Sequence, residues 1–107
     1  MIDVTYYRGF NRVTVKGHAE AAPKGEDLIC SACSNLVHTL DANVNHLVGI
    51  GAAGSQIIDI SDGNAEISCK ANHKYKALVL TTFETVCVGF EILASKFPEY
   101  VTYEIMG

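Results

Sequence analysis

The spacing of apolar residues along this chain switches between two and three-to-four residues four times, and the order of those switches restricts the fold more tightly than composition does. Ile2, Val4 and Tyr6 alternate with Asp3, Thr5 and Tyr7. Arg8-Gly9-Phe10-Asn11 then offers turn chemistry before Val13 and Val15 alternate with Arg12, Thr14 and Lys16, which predicts a strand pair. From Asp27 the period lengthens: Ile29, Cys33, Leu36, Leu40, Val44 and Leu47 mark one stripe of a helix that Gly49, Gly51 and Gly54 terminate. Gln56 to Ile60 and the alternating Ala65, Ile67 and Cys69 flank Ser61-Asp62-Gly63-Asn64, a strong hairpin signal. Tyr75, Leu78, Val79, Thr82, Phe83, Val86, Phe90, Leu93 and Phe97 return to helical spacing, Pro98 stops it, and Tyr100 to Ile105 alternates again.

The resulting order, ββαββαβ, predicts an α+β two-layer sandwich with two amphipathic helices packed on one face of a largely antiparallel sheet. A chain of 107 residues, 49% hydrophobic, fits a single domain over residues 1–107 with one core. No linker interrupts the pattern.

Charge narrows the function. A formal net charge of −4 and a pI near 5.4 supply no Lys/Arg cluster to neutralise a run of phosphates, so direct nucleic-acid binding is not expected. No apolar run approaches the roughly 20 residues that cross a bilayer, and Met1-Ile2-Asp3-Val4 lacks the regions of a secretory signal. A cytoplasmic location without membrane contact is therefore expected, where the four cysteines remain free thiols.

The segment Gly17 to Cys30 carries the chemistry. It leaves a strand, crosses a loop of small residues and enters a helix, with reactive side chains at both ends. A cysteine in a helix's first turn lies where unpaired N–H groups and the dipole favour its thiolate, the nucleophilic form. Asp27 is placed to cap that helix and fix Cys30, and the same N–H groups are candidates for an oxyanion site. Cys30 and Cys33 differ by about 300° around a helix, so Cys33 falls on the core stripe while Cys30 falls with Ser34, Val37 and Asp41 at its border. His18 is the partner a cysteine nucleophile needs, as an imidazole that takes the thiol proton and later protonates a leaving amine. Strict alternation assigns His18 to the Lys16 face, so Gly17 must bend the strand to re-aim it. The loop containing Ala19, Pro23 and Gly25 has almost no anchoring apolar side chain and is expected to be mobile.

Gly17-His18-Ala19, followed by Gly25-x-Asp27-Leu28-Ile29-Cys30 and then Ser34, resembles the ribosomal-processing cysteine proteases of bacteria over essentially the whole chain. The chain departs from that family's usual pattern in Ser31, where Ala is common, and in the additional Cys33. The resemblance implies a homodimeric endopeptidase that removes a short N-terminal extension from the large-subunit ribosomal protein numbered twenty-seven, for ribosome assembly. It implies His18 and Cys30 as the catalytic pair, with Asp27 and Ser34 supporting, and the ribosomal precursor as the protein partner.

Two other classes compete. Cys30-Ser31-Ala32-Cys33 matches the Cys-x-x-Cys pattern of thiol–disulfide proteins, and an acidic noncatalytic ribosome-associated module would need no reactive thiol at all. Cys30, Cys33, His18 and His38 can be nominated as zinc ligands, but their spacing fits no standard module, so no metal is expected. His38, His46 and His73 are read as surface or helix-border residues. Gly49 to Gly54 lacks the Lys-Ser/Thr and following helix of a phosphate loop, and no cofactor is expected.

Overall fold

The computed structural model describes residues 1–23 and 27–107. Among the described residues, five strands and two α-helices follow in the expected order: β1 (Ile2–Tyr7), β2 (Arg12–Gly17), α1 (Leu28–Gly49), β3 (Ala53–Ser61), β4 (Asn64–Ala71), α2 (Lys76–Lys96) and β5 (Val101–Met106). The strands form one sheet in the order β3-β4-β2-β1-β5. Three of its four pairings are antiparallel; β1 and β5 run parallel, because the chain returns to β1's free edge only after crossing through α2.

Alternation fixes which face of the sheet is covered. Val4 pairs with Val15, Tyr6 with Val13, Val13 with Ile67 and Val15 with Ala65, so one face presents a continuous apolar surface. Both helices pack on it, and Tyr6 stacks on Phe83 of α2 with ring centroids 6.4 Å apart. The opposite face is polar: Arg12 lies 4.8 Å from the Tyr7 ring and 3.1 Å from the Glu66 carboxylate.

On α1 the buried row is Cys33, Val37, Leu40, Val44 and Leu47. Val37 replaces Leu36 in the stripe expected from spacing, because the helix meets the sheet about one residue further round than a stripe centred on Ile29 implies. Leu36 instead reaches α2, where its Cδ2 would lie 2.6 Å from a Cβ at Gly89. This glycine lets the two helices approach.

α2 departs from the expectation that no apolar segment approaches a bilayer-spanning length. Residues His73–Lys96 contain a window of mean hydropathy 1.7, long and apolar enough by composition to cross a membrane. One row of α2, Val79, Phe83, Val86, Cys87 and Phe90, is buried in the core shared with α1 and the sheet. Leu78, Leu80, Val88 and Ile92 remain exposed on the same helix.

Candidate active site

The end of β2, the start of α1 and the β3–β4 turn enclose an open cleft of about 640 Å³. His18, Asp27, Cys30, Ser34, Asp62 and Gly63 all line it.

Cys30 stands in the first turn of α1, half-buried, and Asp27 is the N-cap. One carboxylate oxygen of Asp27 accepts from the N–H groups of Ile29 and Cys30 at 3.0 Å each; the other accepts from the Ala21 N–H at 2.9 Å. Asp27 thus ties the connecting loop to the helix start. The hydrogen bond from the Cys30 N–H, followed by that from Ala21, holds its carboxyl below the usual carboxylate range, against the opposing effect of burial. These bonds also engage the Ile29 and Cys30 N–H groups considered for an oxyanion site, and the Ser31 N–H bonds the Asp27 carbonyl at 3.1 Å.

The thiol itself accepts a hydrogen bond from the Ala19 N–H at 3.3 Å. Ala19 is 5% exposed and belongs to the core cluster, so this part of the connection is anchored, contrary to the expectation of a loop without apolar attachment. Pro23 is exposed, and Gly25 lies outside the described residues.

His18 reaches the cleft by the bend that alternation required. Gly17 has φ of +101°, and a Cβ there would lie 2.1 Å from the Met1 carbonyl oxygen, so neither the conformation nor the space admits a side chain. Its N–H donates to the Gly63 carbonyl at 2.9 Å, fastening the turn of β2 to the β3–β4 turn. The His18 ring then lies over Gly63, with Nε2 3.9 Å from Asp62 Oδ1. Among the described residues no direct hydrogen bond joins His18 to Cys30; they face each other as walls of one cleft.

Ser34 lies one turn beyond Cys30, exposed at the cleft's edge. Cys33 turns the other way: it is 3% exposed, and burial, reinforced by the charges of Cys30 and Asp27, pushes its thiol up to about 11. A thiol held protonated inside the core is poorly suited to exchange with a disulfide. Among the described residues no three His, Cys, Asp or Glu side chains converge as metal ligands. His38, read from sequence as a border residue, also lines the cleft.

Asp62 and Gly63 were read from sequence only as turn residues. The signal that locates them is strand register: Val15 pairs with Ala65 and Lys16 with Asn64, so one further step brings Gly17 to Gly63 and the bend that carries His18 to the β3–β4 turn.

A thiol at a helix start, an imidazole re-aimed towards the same cleft and an α+β sandwich carrying both define a small cysteine hydrolase. The profile of the family described as cysteine protease Prp matches residues 1–102, and the chain belongs to that family. No curated protein matches the chain. The fold is similar to that of S. aureus Prp, an essential ribosomal processing protease, solved with a covalently linked product peptide: TM-score 0.71, 20% identity, 97% of this chain and 96% of that chain covered. It is also similar to the protein SMU.848 from Streptococcus mutans, with TM-score 0.66, 29% identity, and 98% and 91% covered. A second S. aureus Prp structure, with a substrate peptide, aligns with TM-score 0.65 and 18% identity over 97% and 96% of the two chains.

Proposed function

We propose that this cysteine protease removes the short N-terminal extension of the large-subunit ribosomal protein numbered twenty-seven in the cytoplasm, as a homodimer, with Cys30 as nucleophile and His18 as general base and acid. The observation that carries the assignment of the pair is convergence: two residues twelve positions apart line one cleft, one delivered by a helix start and the other by a glycine-dependent bend. The ribosomal substrate is supported by family membership and by the processing role described for the structurally similar S. aureus protein.

In the reaction, His18 accepts the thiol proton and the Cys30 sulfur attacks the scissile carbonyl carbon. The tetrahedral adduct collapses as the C–N bond breaks, and His18 gives its proton to the departing amine. This leaves the acyl group as a thioester on Cys30. Water, losing a proton to His18, attacks the thioester carbonyl; the C–S bond breaks, the carboxylate product leaves, and the proton returns to the sulfur. Asp27 holds Cys30 in place by capping α1, and Ser34 borders the peptide's path.

The test is incubation of the protein with the ribosomal precursor from the same genome, comparing wild type with Cys30→Ala and His18→Ala. Each variant is expected to lose cleavage by about a thousandfold or more. Cleavage that survives Cys30→Ala would overturn the assignment.

A further inference from the structure

We propose that Asp62, in the β3–β4 turn, is a positioning residue that orients the His18 imidazole towards Cys30. The inference rests on His18 acting as the base, and adds a third participant from an element that neither the helix start nor the Gly-His-Ala segment includes.

Three observations converge on it. The β2–β4 ladder runs in unbroken antiparallel register from Arg12↔Ser68 to Lys16↔Asn64, and the Gly17 N–H···O=C Gly63 bond carries the pairing one step further. The pairing thus brings the bend at Gly17 up to the β3–β4 turn, and the bend sets the His18 ring over Gly63 and beside Asp62. The nitrogen nearer Asp62 is Nε2, at 3.9 Å from Oδ1. An acceptor beside Nε2 favours the tautomer with its proton there and leaves Nδ1 as the free base on the imidazole's other side. Finally, Gly63 supplies the room: with φ of +70° it has no side chain where a Cβ would lie 2.6 Å from Nε2. The turn thus provides an acceptor for the imidazole and a surface that the ring can lie on.

Among the described residues, the other ionisable groups lining the cleft are Glu20 on the connecting loop, Asp27 at the helix cap, and Cys30, Cys33 and His38 on α1. Asp27 holds the Ala21, Ile29 and Cys30 N–H groups, and among the described residues the carboxylate beside the imidazole is that of Asp62. His18 and Asp62 are 48% and 71% exposed, and at that exposure the attraction is weak in water. A peptide lying in the cleft displaces that water and strengthens the contact at the moment the proton must move.

The experiment measures kcat and KM for Asp62→Ala and Asp62→Asn with one peptide substrate, beside wild type and His18→Ala. Asp62→Ala is expected to lower kcat about tenfold with KM little changed, as orientation is lost while substrate contacts remain. Asp62→Asn restores most of kcat, because its amide oxygen keeps an acceptor beside Nε2–H. Nitrogen-15 spectra of the neutral His18 ring, recorded in Cys30→Ala protein, should place the proton on Nε2 and lose that preference when Asp62→Ala is added. An unchanged kcat in Asp62→Ala, a defect confined to KM, no restoration by Asn, or an unaltered tautomer would each overturn the inference. Full activity of His18→Ala would instead overturn the assignment of the base, so the two failures are distinguishable. Far-UV circular dichroism and melting confirm that the turn variants fold.

Discussion

At Asp27 a single carboxylate accepts three backbone N–H groups from two segments, so its ionisation state bears on the shape of the cleft. Its carboxyl titrates below the usual carboxylate range in the folded protein. The stability this confers is fully present above the unfolded carboxyl value, near 4, and is lost as pH falls through the lower folded value. Melting temperature measured from pH 7 to pH 2 is expected to fall more steeply in this acidic window for wild type than for Asp27→Asn, which starts lower at pH 7. Parallel curves would show that the capping carboxylate does not couple to folding. Asp27 and Cys30 were legible in the sequence because a cap and a first-turn residue lie within four positions, where helical geometry alone fixes their relation. The bend at Gly17 was legible only as a requirement: spacing showed that His18 faced the wrong way, and the positive φ shows how the chain meets it. Asp62 was not legible, because its place beside His18 depends on which strand pairs with β2, and nothing local to either residue states that pairing.

The elements follow the same division between local and non-local information. Periodicity located all seven, and it distinguished Cys33 on the core row from Cys30 at its border. It did not locate the parallel β1–β5 pair, which depends on the path through α2, or the rotation that buries Val37 in place of Leu36. On α2, periodicity showed an apolar helix without showing that only one row is covered within the chain. Leu78, Val88 and Ile92 stay exposed at spacings that place them along one side, with Thr81 and Thr85 between them. A surface of that kind, free of charges along its length, is suited to meet a second copy of the chain, and this supports the proposed homodimer. Sedimentation at tens of micromolar is expected to show a dimer for wild type and a monomer for Val88→Glu, whose carboxylate would be left without water at such an interface. A wild-type monomer would remove the dimer from the proposal, and a dimeric Val88→Glu would place its interface elsewhere.

Across the whole molecule, the relevant property is the sign of the charge around the cleft. The chain carries a net −4, and among the described residues lining the cleft Glu20, Asp27 and Asp62 bear carboxylates while none is Lys or Arg. A basic peptide therefore approaches through an attractive field before any specific contact forms. Such attraction acts mainly on encounter, and added salt screens it: the Debye length shortens from about 10 Å at 0.1 M to about 3 Å at 1 M. In the proposed mechanism the proton transfers between Cys30, His18 and the leaving amine take place over contact distances inside a cleft covered by the peptide, where screening is much weaker. Raising sodium chloride from about 0.05 to about 0.5 M is thus expected to increase KM for a lysine- and arginine-containing substrate several-fold while kcat stays within twofold. A peptide with the same scissile residues but neutral flanks should show little change in either constant. Equal salt responses for the two peptides would mean that the acidic cleft plays no part in gathering substrate, and that recognition depends on short-range contacts alone.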